Sequence, residues 1–309
     1  MAITEEENAT LISEFILLGF GNLHGLQFFL FGVFLTIYVM TLAGNIVILT
    51  VVCIDRSLHT PMYFFLGHFS FLEIGYTTTI EPLMIRTLLS AHESISFAAC
   101  ACQLYFFAAS VATECFFLAV MSYDRYLAIC NPLHYTSIMD HWGCLLLAGA
   151  SWMAGFLAPV LLVTLIFRLK FCAANEIDHF FCDLKPIMRL ACSDTQTAEM
   201  TTFICTALFS LGPFILTLSS YIHIIATILG IPSTTGKQRA FSTCSSHLTV
   251  VTLYYGTLGI VYGFPSRPQY EDLLKLLSLL YTVLTPALNP IIYTLRNKDV
   301  KAALGKMLR

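Results

Sequence analysis

The chain has 309 residues, of which 57% are hydrophobic and only 11% are charged, and its formal net charge is −3. Soluble domains carry about 25% charged residues, so a soluble core could not bury this much apolar surface, whereas a lipid bilayer could. The composition therefore excludes an ordinary soluble domain and predicts an all-α membrane protein. The basic residues are scattered, which does not support binding to nucleic acid.

Seven apolar runs are each long enough to cross a bilayer. A transmembrane helix needs about 20 such residues for ~30 Å of hydrocarbon. We number the runs spans 1 to 7; they cover about 25–54, 59–89, 97–130, 142–167, 197–229, 238–264 and 271–294. The predicted fold is a seven-transmembrane helix bundle over residues 25–294, with one long connection at 168–196. The apolar residues and lysines of 295–309 favour a short interfacial helix after the bundle.

The charges predict the orientation of the bundle. Residues 1–24 contain Glu5, Glu6, Glu7 and Glu14, whereas most basic residues fall in the segments that would share the other side. The positive-inside rule then places residues 1–24 outside the cell and residues 295–309 in the cytoplasm. Because residues 1–14 are acidic, no cleavable signal peptide is predicted, and span 1 should act as the targeting signal. Asn8 begins an Asn-Ala-Thr glycosylation sequence on the outer side.

Four of the eleven cysteines fall where the predicted outside is oxidising, at Cys100, Cys172, Cys182 and Cys192. Four cysteines allow three pairings, and the residues alone do not choose among them. A Cys/His metal site that includes His179 is an alternative, although the spacing matches no common zinc pattern. We expect the other cysteines to be small packing residues.

Two acids lie at membrane depth, Glu73 in span 2 and Glu114 in span 3. Ionisable residues inside a membrane are costly and often functional. One interpretation is a pair of protonated or hydrogen-bonded structural acids. The other is a cation site, for sodium, or a proton-linked switch.

Four motifs occur in order along the spans. Span 2 opens with Pro-Met-Tyr-Phe-Phe-Leu at 61–66, span 3 ends with Met-Ser-Tyr-Asp-Arg-Tyr at 121–126, span 6 begins with Lys-Gln-Arg-Ala-Phe-Ser-Thr-Cys-Ser-Ser-His at 237–247, and span 7 ends with Asn-Pro-Ile-Ile-Tyr at 289–293. Together they resemble the vertebrate odorant (olfactory) receptors of the rhodopsin-like G-protein-coupled receptors, in the tetrapod-type class II branch. Ser122 replaces the usual Ala, and Tyr254 stands where the family usually has Phe. The resemblance covers residues 45 to 304.

The resemblance implies an odorant receptor of the plasma membrane, not an enzyme. Its partners would be a small volatile odorant and a heterotrimeric stimulatory G protein of the olfactory type, which raises cyclic AMP. It also implies two disulfide bonds, Cys100–Cys182 and Cys172–Cys192, which would hold the long loop as a lid. No cofactor is implied except a sodium ion at Glu73 and Glu114. The implied coupling and switch residues are Asp124, Arg125, Tyr126, Tyr221, Asn289, Pro290 and Tyr293, with Arg125 held by Asp124 in the inactive state.

The family binds odorants between spans 3, 5 and 6, beneath the lid. Phe107 occupies the position where amine receptors carry Asp, and span 6 offers no basic residue at depth. The expected pocket is therefore apolar with a few hydroxyls, which suits a small neutral molecule. The candidate ligand-binding residues are Phe107, Ala108, Val111, Ala112, Cys205, Thr206, Phe209, Leu258, Gly259, Tyr262, Tyr281 and Thr282.

Other classes of function make different predictions. A transporter or channel would be expected to show internal repeats and discontinuous helices, and the sequence shows no repeat. An enzyme is not indicated, because there is no nucleotide-binding loop, metal-pair spacing or Ser/His/Asp set. A receptor of this family that senses chemicals outside the nose stays open, because its sequence would look the same.

Overall fold

The computed structural model describes residues 13–21, 25–90, 92–172, 175–263, 271–296 and 298–307. Within them lie twelve α-helices: α1 (Gln27–Ile54), α2 (Pro61–Leu89), α3 (Phe97–Cys130), α4 (Pro132–Ile138), α5 (His141–Ile166), α6 (Leu184–Arg189), α7 (Gln196–Thr206), α8 (Gly212–Gly230), α9 (Thr234–Gly263), α10 (Glu271–Leu279), α11 (Thr285–Arg296) and α12 (Lys298–Met307). A π-helical turn at Ala207–Leu211 joins α7 to α8 as span 5, and another at Leu280–Leu284 joins α10 to α11 as span 7. Spans 1 to 4 and 6 are α1, α2, α3, α5 and α9, and every predicted boundary agrees within four residues.

Five of these spans are long and apolar enough, by length and composition alone, to cross a membrane among the described residues. Span 2 (α2) and span 6 (α9) have 29 and 30 residues but a lower hydropathy. The reason is their buried polar side chains, such as Glu73 and Glu81 in α2 and His247 in α9, which face the bundle rather than lipid. The structure confirms an all-α membrane bundle.

A small sheet was not predicted; it lies at the end of the bundle that the charges predict to be outside, which is called the outer end below. Strand β1 (Glu14–Leu17) pairs antiparallel with β2 (Glu93–Ser96) and parallel with β3 (Glu176–Ile177). The strand is only four residues long and its partners are far away in sequence, so no local pattern indicated it. Its Phe15 and Leu17 side chains are fully buried, which ties the N-terminal segment to the loop before α3 and to the long loop.

The long loop forms a lid over the bundle. Cys182 lies at bonding distance from Cys100 in α3, and Cys172 lies at bonding distance from Cys192 within the loop, which are the two pairs implied by the resemblance. The Cys182 backbone amide also donates to Gln103 Oε1 at 2.9 Å. Covalent and hydrogen-bonded attachments thus fix the lid to span 3.

The predicted helix after the bundle is α12. It buries Val300 and Ala303, and Lys306 Nζ lies 3.2 Å from Asp55 Oδ2 beside the end of α1. The Tyr63 hydroxyl donates to Asp299 Oδ2 at 2.9 Å, so α12 also contacts the start of α2. An apolar face therefore packs α12 against the inner end of the bundle.

Candidate functional site

A cavity of about 590 Å³ lies beneath the lid, between spans 3, 4, 5 and 6. Its wall is almost wholly apolar. Nine of the twelve candidate ligand-binding residues line it: Phe107, Ala108, Val111, Ala112, Cys205, Thr206, Phe209, Leu258 and Gly259. The helical spacing in spans 3 and 5 brings these side chains to one face, which is why sequence reasoning could place them.

Sequence reasoning missed the contribution of span 4 and of the lid. Ala158, Pro159 and Leu162 form one side of the cavity, and Leu184 of α6 contributes from the lid. The spacing of the three span 4 residues puts them on one helical face. Because span 4 is apolar on all sides, no difference between polar and apolar faces could identify that face from the sequence. The remaining lining residues are Cys115, Phe203, Ala207, Ser210, Leu211, Phe214 and Tyr255.

Three candidates do not line the cavity as described. Tyr281 and Thr282 lie in the π-turn of span 7, which widens the helix by one residue and directs them toward the core beside span 2. Thr282 is fully buried, and the Tyr76 hydroxyl donates to the Tyr281 carbonyl at 3.1 Å. Tyr281 and Thr282 therefore lie outside the wall of this cavity. The side chain of Tyr262 lies outside the described residues, as does Asn8.

Phe107 lines the cavity and also packs in the hydrophobic core. Its ring stacks on Tyr76, with centroids 6.0 Å apart, and lies 6.1 Å from the ring of Tyr281. On the lid side it meets the ring of Phe181 at 5.1 Å. Phe107 thus connects the cavity wall to aromatic rings of span 2, span 7 and the lid.

The acids Glu73 and Glu114 do not line the cavity, and both are buried. Asn289 Nδ2 donates to Glu73 Oε1. Glu73 Oε2, Glu114 Oε1 and Asn289 Oδ1 have no hydrogen-bond partner among the described residues. These oxygens suit a hard cation. Nowhere in the described part of the chain do three or more His, Cys, Asp or Glu side chains gather as metal ligands.

The inner end of span 3 holds a clamped arginine. Arg125 donates through Nε and Nη2 to Asp124 Oδ2, with the Nε distance at 2.9 Å. Tyr135 of α4 donates to Asp124 Oδ1 at 2.9 Å, a contact that no sequence pattern indicated. Asp124 is fully buried, so its two partners neutralise and hydrogen-bond it.

The other switch candidates lie around this clamp without joining it. The Tyr221 hydroxyl and His247 Nδ1 are 2.5 Å apart. His247 ends the span 6 motif, but no role in the switch was predicted for it from the sequence. Tyr293 is buried, and its hydroxyl has no partner among the described residues. Tyr126 accepts a hydrogen bond from Asn131 at 3.1 Å. A Cβ on Gly44 would stand 2.8 Å from Pro290, so span 1 approaches span 7 closely there.

Three lid residues have shifted pKa values, and for Lys185 burial lowers the pKa. Burial, and secondarily the charge of Lys275, lowers the pKa of His179 to about 3, so this imidazole is neutral at physiological pH. Burial raises the pKa of Asp183 to about 6, although its side chain accepts a hydrogen bond from the Leu184 amide at 2.8 Å. At physiological pH His179 is therefore neutral, whereas most of Asp183 is ionised.

Comparison with known proteins gives a consistent result. Residues 34–309 match a family model described as olfactory receptor. The chain is 50% identical to human olfactory receptor 11L1 over 305 residues, covering 99% of this chain and 95% of that relative. It is 50% identical to human olfactory receptor 10A4, covering 98% and 96%, and 47% identical to human olfactory receptor 10R2, covering 98% and 90%.

Proposed function

Because this chain belongs to the olfactory receptor family, it is an odorant-sensing G-protein-coupled receptor, and we propose that the cavity between spans 3, 4, 5 and 6 is its ligand site. The observation that carries this proposal is the nearly apolar wall of that cavity. Its volume of about 590 Å³ falls in the range of small-molecule sites. No member of the described wall is charged.

The proposed ligand is a small, neutral, mostly apolar volatile molecule. An ammonium or carboxylate group would lose its hydration in this cavity and find no opposite charge on the wall. Thr206, Ser210 and Tyr255 carry hydroxyls on the wall, and each could orient one oxygen atom of an alcohol, aldehyde, ketone or ester.

A matched ligand series tests this chemistry. Compounds with one carbon skeleton and an ammonium, a carboxylate or a neutral oxygen group are applied to cells that report cyclic AMP. We expect the neutral members to activate most strongly. Thr206→Val should weaken oxygenated ligands by roughly tenfold or less, the value of about one hydrogen bond. Thr202→Val is the matched control, because its hydroxyl only donates to the Ala198 carbonyl. Strongest activation by the ammonium member would contradict the proposal.

For signalling, we propose a stimulatory G protein at the inner face, with residues 1–24 outside the cell at the plasma membrane. The support is the Asp124–Arg125 clamp at the inner end of span 3, which an activating shift could open. In this proposal Arg125 then turns toward Tyr221 and Tyr293. Cells that lack the stimulatory α-subunit should give no cyclic AMP response until that subunit is restored. A full response without it would exclude this partner.

For the acids, we propose that Glu73, Glu114 and Asn289 hold a sodium ion. Their orphaned oxygens support it, because two buried carboxylates without a counter-charge would repel each other. Bound sodium supplies that counter-charge and so favours the resting arrangement of spans 2, 3 and 7. Glu114→Gln should change basal cyclic AMP and its dependence on external sodium. If both are unchanged at equal surface expression, the acids are structural.

A further inference from the structure

Span 2 carries a further buried acid, Glu81, which is part of neither the cavity wall nor the Glu73–Glu114 site. Its side chain has 0% exposure, and neither carboxylate oxygen has a hydrogen-bond partner among the described residues. A bare carboxylate at this depth is strongly unfavourable unless it gains a proton or a cation. Glu81 therefore needs a partner that the described side chains do not supply.

Glu81 lies in one row with Glu73 along α2. The two acids are eight residues apart, with Thr77 midway, and residues four apart share a helical face. At 1.5 Å per residue, Glu81 stands ~12 Å nearer the outside than Glu73. The Thr77 hydroxyl donates to the Glu73 carbonyl at 2.8 Å, so its oxygen keeps lone pairs for another ligand.

Span 7, which packs against span 2, carries further hydroxyl oxygens. Span 2 packs against the π-turn of span 7 and against α11. Along span 7, three buried hydroxyls each donate their proton to a carbonyl of their own helix and keep acceptor capacity; they are Ser278, Thr282 and Thr285. Oxygen acceptors thus accumulate between spans 2 and 7, which suits a small hard cation.

The basic groups at the outer end of this cleft do not oppose a cation. Ser278 Oγ lies 3.5 Å from His179 Nε2, and burial keeps that imidazole neutral by lowering its pKa to about 3. Lys275, one turn outward, is neutralised by Asp178 at 2.6 Å. On the same helix, Glu73 is a further acid, and the one nearby base, Arg86, is paired with Glu93 among the described residues.

We infer that Glu81 is a second sodium position, outward of the Glu73, Glu114 and Asn289 site, and that sodium passes it on the way in from the extracellular side. This inference rests on the proposed sodium site. At ~12 Å and an effective dielectric constant of ~20, one unit charge changes the binding of a monovalent ion by ~1.4 kcal/mol, or about tenfold. While it holds no ion itself, the charged Glu81 therefore also strengthens sodium binding at the inner site.

The test is ²³Na relaxation titrated with sodium on the purified full-length receptor in nanodiscs. Wild type is compared with Glu73→Gln, Glu81→Gln and the double variant. We expect Glu73→Gln to retain part of the sodium-dependent signal and the double variant to lose it. Glu81→Gln alone should raise the half-saturating sodium concentration by about tenfold. The control is Glu176→Gln, which removes an exposed extracellular acid from β3. A thermal unfolding measurement on each variant checks that it is folded.

Each other outcome is decisive. If Glu73→Gln alone abolishes the signal and Glu81→Gln leaves the titration unchanged, Glu81 is not a sodium position, while the inner site stands. If wild type gives no sodium-dependent signal, the inner site and the inference both fail. If Glu81→Gln changes only the pH dependence of basal cyclic AMP, Glu81 holds a proton instead, and the sodium assignment is wrong.

Discussion

The outer and inner ends of this receptor are held together by different kinds of interaction. At the outer end, a backbone sheet and two disulfides join the N-terminal segment, the lid and span 3. At the inner end, side-chain contacts such as Asp124–Arg125 and Tyr221–His247 connect the described elements. Covalent and backbone contacts resist exchange, whereas side-chain contacts can switch partners within an intact fold. A ligand beneath the lid can therefore shift the inner face while the outer end stays nearly fixed.

Breaking the outer attachment should have the largest effect. Cys182→Ser removes the bond between lid and span 3, and losing a native disulfide typically costs ~2–5 kcal/mol. We expect most of the receptor to be retained inside the cell, which surface labelling of a tagged chain measures. Normal surface expression together with a normal ligand response would refute a structural role for this bond.

Cys192→Ser provides the graded comparison. Its bridge closes a 20-residue separation within the lid, against 82 residues for Cys100–Cys182. The loop-entropy relation makes the shorter bridge less stabilising by ~1 kcal/mol. Surface expression should consequently fall less for Cys192→Ser than for Cys182→Ser, and the reverse order would contradict this account of the lid.

Opening the inner clamp should change signalling rather than folding. Asp124→Asn removes the negative charge that holds Arg125. The amide oxygen of the new Asn can still accept the hydrogen bond that the Tyr135 hydroxyl donates. We expect basal cyclic AMP per surface receptor to rise severalfold, while Arg125→Ala abolishes the ligand response. Asp140→Asn is the matched control, since that inner-side acid only caps α5 through the Gly143 amide. Equal basal activity in Asp124→Asn and wild type would show that the clamp does not set the resting state.

The sequence predicted the bundle well because membrane spanning is a strong one-dimensional signal. A run of about 20 apolar residues that ends at polar or charged residues suffices to locate a span. The predicted span boundaries agree with the helix boundaries of the structure within four residues. The sheet could not be foreseen in this way. Phe15 pairs with Ile95, 80 residues away, and Ile16 pairs with Glu176. Such pairing depends on the folded lid, and a four-residue strand is too short to show an alternating pattern of apolar and polar residues.

The candidate site was predictable where a regular helix carries it and unpredictable where the helix departs from regularity. The spacing of Phe107 and Val111 in span 3 placed both on the cavity wall. Tyr281 does not line this cavity, because a π-turn changes which face of span 7 carries it, and the sequence Leu-Tyr-Thr-Val-Leu has no feature that predicts a π-turn. The Tyr135 contact with Asp124 comes from α4, a short helix with no buried residue and no sequence signature.

A smaller effect should come from the lid acid Asp183. Its folded pKa of about 6 lies above the ordinary 3.8, so the folded state binds more protons than the unfolded state between these values. Stability is therefore lost as pH rises through 6. Asp183→Asn keeps the acceptor for the Leu184 amide and should raise the melting temperature at pH 7.5 by a few degrees, with up to ~3 kcal/mol available from two pKa units. At pH 4 the two proteins should melt together. A constant difference across this pH range would mean that Asp183 does not titrate as described.

The smallest effect should come from the exposed ion pair of α12, which tests whether the inner end depends on charges in general or on the buried clamp in particular. Lys306 is 65% exposed in its contact with Asp55, and exposed ion pairs contribute little to stability because water and salt screen them. Lys306→Ala should leave surface expression and basal cyclic AMP within error of wild type. Val300→Asp, on the same helix, places a carboxylate in a fully buried position and should reduce both. If instead Lys306→Ala were the more damaging change, α12 would be held by electrostatics, and the inner end would respond to ionic strength as a whole rather than through Asp124 and Arg125.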